Sequence, residues 1–135
     1  MNDPYLNTQF CEDRFYSEYL KYKKLVIACD FDDTVFDFHN KGYQYPKLIE
    51  LLEDCQKLGF YICIFTGSQP EKYDSILDYM KNLGIEIHSI NKNPFPMPFG
   101  NHGKMYYNIL LDDRGGLKES YGILRNVVDK IKQTL

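Results

Sequence analysis

The chain predicts an α/β fold built on a parallel sheet covered on both faces, and three observations carry that expectation. The runs Leu25-Val26-Ile27-Ala28-Cys29 and Tyr61-Ile62-Cys63-Ile64-Phe65 are continuously apolar, as strands buried on both sides are, rather than alternating. Stretches with apolar residues at helical spacing separate these runs. Polar loops follow the runs directly, Asp30-Phe31-Asp32-Asp33-Thr34 after the first and Thr66-Gly67-Ser68-Gln69-Pro70 after the second.

The elements follow in order. Cys11, Phe15, Tyr19 and Tyr22 predict an amphipathic helix over about 8–22, packed on the core. Residues 24–29 form the first strand. Pro46, whose fixed φ suits a first helical turn, opens a helix in which Leu48, Leu51, Leu52, Cys55 and Leu58 share a face, and Gly59 ends it. The second strand is Tyr61–Phe65. Tyr73, Ile76, Leu77, Met80 and Leu83 mark the buried side of the next helix, which Gly84 stops. Residues 85–90 are expected as a third strand. Pro94, Pro96, Pro98, Gly100 and Gly103 exclude regular structure from 91–103. Residues 108–111 form a last short strand, and Leu117, Tyr121, Leu124, Val128, Ile131 and Leu135 recur as one face of a closing helix.

Length suits one domain, 1–135, in which any cover over a site must be a loop. The net charge of -3 supplies no general field for nucleic acid, and small anionic substrates require a metal to offset the carboxylates. Cys11, Cys29, Cys55 and Cys63 lack paired metal-ligand spacing and read as reduced thiols of a cytoplasmic protein. The beginning Met1-Asn2-Asp3-Pro4 lacks the pattern of a signal peptide, and no apolar run is long enough to span a membrane.

In a parallel sheet, ligands gather beyond the carboxyl ends of the strands. Asp30 and Asp32, Thr66, and Asp112 with Asp113 all follow strands, so topology brings them to one place. A hard cation such as Mg²⁺ takes oxygen ligands, here carboxylates and a backbone carbonyl, with the Phe31 carbonyl expected to face the space between Asp30 and Asp32. Thr66 and the N–H groups after it are placed for phosphate oxygens at a helix entrance, or Thr66 is simply a helix cap or turn residue. Lys104, eight residues before Asp112, either brings positive charge to that phosphate or is a solvated lysine. Asp33 reads as a loop or cap residue. Phe36, Phe38 and Tyr43, with His39 and Lys41, either stack on substrate or are ordinary in a chain with 12 Tyr and 9 Phe. Phe95, Met97 and Phe99 form a lip over the site or a docking surface, or pack on their own domain. His39, His88 and His102 do not have the spacing of a zinc set; His88 reads as structural and His102 as the histidine nearest substrate.

Asp30-Phe31-Asp32-Asp33-Thr34, Thr66-Gly67, Lys104 and Leu110-Leu111-Asp112-Asp113 resemble, in order and context, the four motifs of the haloacid dehalogenase-like (HAD) superfamily of phosphohydrolases. Asp112-Asp113-Arg114 also looks like the closing motif of the phosphatase domain of polynucleotide kinase-phosphatases and of small capless members. The resemblance implies a three-layer Rossmann-like core of about four parallel strands, order 3-2-1-4, with helices on both faces. It implies a Mg²⁺-dependent phosphatase acting through an aspartyl-phosphate on a nucleotide, sugar phosphate or nucleic-acid end.

By that resemblance Asp30 is the nucleophile and Asp32 the general acid and base. Thr66, Gly67 and Lys104 bind phosphate. Asp30, the Asp32 backbone carbonyl and Asp112 hold Mg²⁺, with Asp113 in support. Two departures stand out: Asp33 occupies a position where Gly is frequent, and neither 35–45 nor 67–85 has room for a cap domain. An open site is therefore expected, bordered by 35–45 and 91–103, the alternative being a homodimer closed over the pocket. A different class of function is a non-catalytic phosphate- or Mg²⁺-binding interaction protein.

Overall fold

A computed structural model describes residues 2–135. Eight main elements follow one another: α1 (Thr8–Tyr22), β1 (Val26–Asp30), α2 (Pro46–Lys57), β2 (Tyr61–Phe65), α3 (Tyr73–Asn82), β3 (Ser89–Ile90), β4 (Ile109–Leu111) and α4 (Leu117–Thr134). The four strands form one parallel sheet in the order β3-β2-β1-β4. The expected α/β layout and strand order are therefore observed.

The sheet's two faces are covered differently. Ile27, Cys29, Ile62, Ile64 and Leu111 pack with buried residues of α2, α3 and α4 and with Phe15 of α1. On the opposite side Val26, Ala28 and Cys63 meet Met105, flanked by Met97, Tyr106 and Tyr107; none of these lies in a helix. This refines the layered picture, because the connection from β3 to β4 must return across the sheet through a segment whose prolines and glycines cannot form a helix.

Local chemistry sets the element ends. The Asn7 side chain accepts the Phe10 N–H at 2.8 Å and caps α1, whose Glu12 accepts from Asn126 of α4. Gly59 at φ +82 and Gly84 at φ +82 take the left-handed conformation just past α2 and α3. Tyr22 and Leu77, expected on buried faces, are exposed, and Leu135 lies beyond the end of α4. β3 is much shorter than the expected 85–90. The Gln56 side chain takes the Glu86 N–H at 2.6 Å and gives its own N–H to the Gly84 carbonyl, and the His88 Nδ1 accepts from Ile62, so side chains replace the ladder there. His88 is structural, as expected.

α2 and α4 are joined by a nearly buried ion pair. Arg125 donates to Asp54 at 2.7 Å and to Asp129 at 2.6 Å, and Lys132 reaches Asp54 at 3.3 Å. Burial pushes the Asp54 carboxyl up, but the two cations outweigh it and hold it below the usual range. Cys29, Cys55 and Cys63 are buried free thiols and Cys11 a half-buried one. Burial raises the thiol pKa of the first three, so they are poor nucleophiles. Among the described residues no helix is long and apolar enough to cross a membrane.

Candidate active site

Register places the site. Asp30, the last residue of β1, lies opposite Phe65, the last of β2, while Cys29 pairs with Leu111, the last of β4. Since β1 runs between β2 and β4, the residues that leave these strands (Asp30, Thr66 and Asp112) emerge side by side.

The loop after β1 is a tight turn. The Phe31 carbonyl accepts the Val35 and Phe36 N–H groups at 3.0 Å each, and the Phe36 carbonyl accepts that of Asp33 at 2.7 Å. Asp33 sits at φ +60 and pairs with His39 at 2.6 Å, which makes it the expected loop residue. This corrects one expectation: the turn consumes the Phe31 carbonyl. Among the described residues no N–H donates to the Asp32 carbonyl, so that oxygen remains for a cation.

Carboxylate oxygens of Asp30, Asp112 and Asp113 lie within 4.8 Å of one another. Thr34, fully buried, holds two of them, with Oγ1 3.2 Å from an oxygen of Asp30 and 3.2 Å from one of Asp113, while the Asp113 N–H donates to it at 3.1 Å. Asp112 shapes its own loop by accepting the Arg114 N–H at 2.9 Å. Gly115 packs closely there: a Cβ would come within 3.2 Å of the Asp112 side chain, which would have to shift by a few tenths of an ångström. Crowding has a consequence for charge. Burial, the hydrogen bond with Asp113 and the negative charge of Asp112 push Asp30 up to about 7.

Asp32 stands apart from this cluster and lines a pocket of about 520 Å³ with Phe36, Phe38, Gly67, Gln69 and Lys72. Burial and the neighbouring Asp33 raise its pKa, against the opposing pull of Lys72 and His39.

Thr66 is no helix cap: a 3-10 turn, Pro70–Lys72, and then α3 begin several residues later. Its Oγ1 accepts the Ser68 N–H at 3.1 Å, and Asn91 grips its backbone from both sides, accepting from the Thr66 N–H at 2.8 Å and donating to its carbonyl at 2.7 Å. Among the described residues the Gly67 N–H has no acceptor, which leaves it for a ligand.

Lys104 is exposed, and among the described residues it forms no ion pair with any carboxylate. His102 is also exposed and makes no hydrogen bond there. The 91–103 segment packs on its own domain: Phe95 lies 5.1 Å from the Tyr61 ring and Phe99 5.2 Å from that of Tyr106. These aromatics line a second cavity with Val26, at the start of β1, so the segment's apex is not the expected lip over Asp30.

Three contributors carry little signal in the sequence. Thr34 stands within the first motif with no chemistry that marks it out. Asn91 follows β3 directly, the same placement that marked the acidic residues. Lys72 carried no signal beyond its charge.

A family model for haloacid dehalogenase-like hydrolases matches residues 27–94, half of the chain, including Asp30, Asp32, Thr34 and Thr66. The chain belongs to this family. Lys104, Asp112 and Asp113 of this haloacid dehalogenase-like hydrolase lie beyond the matched stretch. A solved structure, that of a conserved protein coded by a locus from Bacteroides thetaiotaomicron, is similar at a TM-score of 0.58 and 22% identity, covering 83% of this chain and 93% of that one; the likeness is one of fold. No curated protein matches the chain.

Proposed function

We propose that the protein is a Mg²⁺-dependent phosphomonoester hydrolase that works through an aspartyl-phosphate on Asp30. The observation that carries this reading is the Asp30, Asp112 and Asp113 cluster within 4.8 Å, with a separate Asp32 lining a pocket.

The donor set fits a hard divalent cation: three carboxylates crowded enough to raise Asp30, and the unspent Asp32 carbonyl. Asp30, Asp112 and that carbonyl would hold it, with Asp113 in support. When bound, the cation offsets negative charge on the phosphoryl oxygens and favours ionised Asp30.

The residues then divide the displacement in two. A carboxylate oxygen of Asp30 forms a bond to phosphorus while the ester P–O bond breaks, and Asp32 gives its proton to the departing oxygen. A raised pKa suits Asp32 to that task. Water next attacks phosphorus, passing a proton to Asp32, and the bond from phosphorus to Asp30 breaks to release phosphate. Thr66, held by Asn91, and the Gly67 N–H receive the phosphate oxygens. Lys104, carried over from the family's motifs, is the proposed cation for the same phosphate. The free thiols fit a reducing compartment, and we place the reaction in the cytoplasm.

The test is turnover of an aryl phosphate by purified protein with Mg²⁺, with EDTA, and in Asp30→Asn. Activity that needs Mg²⁺ and disappears in the variant is expected. Undiminished activity in Asp30→Asn would overturn the mechanism, and Mg²⁺ binding without any turnover would favour a non-catalytic role.

A further inference from the structure

The leaving group must lie where Asp32 can protonate its oxygen, and Asp32 opens on the 520 Å³ pocket between the β1 turn and α3. The walls of that pocket are chemically uneven. Phe31 and Phe36 stack at 5.2 Å with planes 7° apart, and the Tyr79 ring meets Phe36 edge-on at 5.1 Å. These three rings brace one another and make a rigid apolar wall. Phe38 is different. It is 58% exposed, and its only aromatic neighbour among the described residues is His39, already engaged by Asp33. A braced aromatic wall with a free aromatic rim suits a planar ring better than a polyhydroxylated sugar, which needs many hydrogen-bonding partners.

The polar side of the pocket is Gln69 and Lys72. Lys72 is anchored at its backbone, donating to the Gln69 carbonyl at 2.9 Å and accepting from the Ser75 hydroxyl at 2.8 Å. Among the described residues its ammonium has no carboxylate within 4.0 Å, and it is the one cation among the lining residues. A lone ammonium beside an aromatic slot is a receptor for an anionic substituent on the ring-bearing group.

We propose that this pocket takes the leaving group of a phosphomonoester that joins a planar aromatic ring to a second anionic group, the ring against Phe36 and Phe38 and the anion on Lys72. The assignment rests on the hydrolase reading above and names its substrate class. Two sources share this chemistry: a nucleoside 3′,5′-bisphosphate and a phosphorylated aromatic acid.

Kinetics with four substrates tests it: phenyl phosphate, 4-carboxyphenyl phosphate, adenosine 5′-monophosphate and adenosine 3′,5′-bisphosphate. A charge-assisted contact corresponds to roughly tenfold or more in kcat/KM. The wild type should therefore prefer at least one doubly anionic substrate, with two separate anionic groups, over its partner with the phosphate alone by about that factor, expressed in KM, and the preferred pair identifies the source. Lys72→Gln should erase the preference, losing far more on the doubly anionic substrate than on phenyl phosphate, and Lys72→Arg should restore it. Equal losses on all four, or no preference in the wild type, would overturn the proposal and leave the hydrolase reading intact. Absence of turnover on every substrate would count against hydrolysis alone. Calorimetric binding of 4-carboxyphenyl phosphate and of adenosine 3′,5′-bisphosphate to Asp30→Asn, with and without Lys72→Gln, then decides the pocket; affinities for both that Lys72→Gln leaves unchanged overturn it.

Discussion

Thr34 accepts the backbone N–H of Asp113 at 3.1 Å across 79 positions of sequence, and so a buried hydroxyl joins the loop after β1 to the loop after β4. The same oxygen lies 3.2 Å from carboxylates of both Asp30 and Asp113. Its single proton can serve only one of them at a time, so the spacing of the cluster is held while its charge is left uncompensated.

Thr34→Val, similar in shape but without the hydroxyl, should cost about 0.5–1.5 kcal/mol, the scale of a lost intramolecular hydrogen bond. It should also shrink the Mg²⁺-induced rise in melting temperature, whereas Thr34→Ser should preserve both. Thermal melts with and without Mg²⁺ measure this, and a full Mg²⁺ response in Thr34→Val would remove Thr34 from the site's architecture.

Removal of a ligand should be read in the same melts. Mg²⁺ binds the folded cluster and scarcely binds the unfolded chain, so it should raise the melting temperature. Asp112→Asn should abolish most of that rise together with most turnover. If the rise persists, Asp112 is not a ligand.

The pH dependence of the metal-free protein has a definite sign. Asp30 is raised from 3.8 to about 7 in the fold, so the folded state holds its proton more tightly than the unfolded chain. The stability it contributes is complete below the unfolded value and is lost as pH rises through about 7. Melting temperature in EDTA should therefore fall between about pH 4 and 7, and the slope should flatten in Asp30→Asn. A slope unaltered by that substitution would assign the titration to another group.

Asp32→Asn separates chemistry from metal binding. Because Asp32 lies outside the three-carboxylate cluster, the Mg²⁺ shift should survive while turnover falls by roughly 10²–10⁴, the scale of a positioned acid and base. Activity equal to wild type would remove it from proton transfer.

Away from the site, Arg125→Ala leaves the nearly buried Asp54 with Lys132 alone. A loss of about 2–3 kcal/mol in denaturant unfolding is expected, with aryl phosphate turnover preserved at saturating Mg²⁺. The Asp54 contribution should itself vanish as pH falls through its lowered folded value. A loss within 0.5 kcal/mol, the roughly neutral range of surface changes, would show the pair to be unimportant.

The sheet and the position of the acidic residues were legible because both are local. Continuous apolar runs identify doubly covered strands, and a parallel sheet sends every strand's exit to one edge, so the exits at Asp30, Thr66 and Asp112 could be placed side by side from their neighbours alone. The family's motifs carry the same information. Less could be read where side chains from distant segments replace a pattern. The short β3 is an example: Gln56 and His88 satisfy backbone groups that periodicity assigned to a ladder.

Residue order is enough for the succession of elements, the strand exits and the chemical type of the acidic cluster, because these depend on neighbours within a few positions. Tertiary structure alone decided which groups remain free once the loops close. The Phe31 carbonyl was spent in its turn while that of Asp32 was left, and Asn91 crossed from β3 to hold Thr66. Phe99 folded back onto Tyr106, away from Asp30, and Lys72 came to line the pocket beside Asp32. Such outcomes turn on hydrogen-bond partners and packing between segments far apart in the chain, and a linear pattern of residue types does not encode which of several competing partners each group takes.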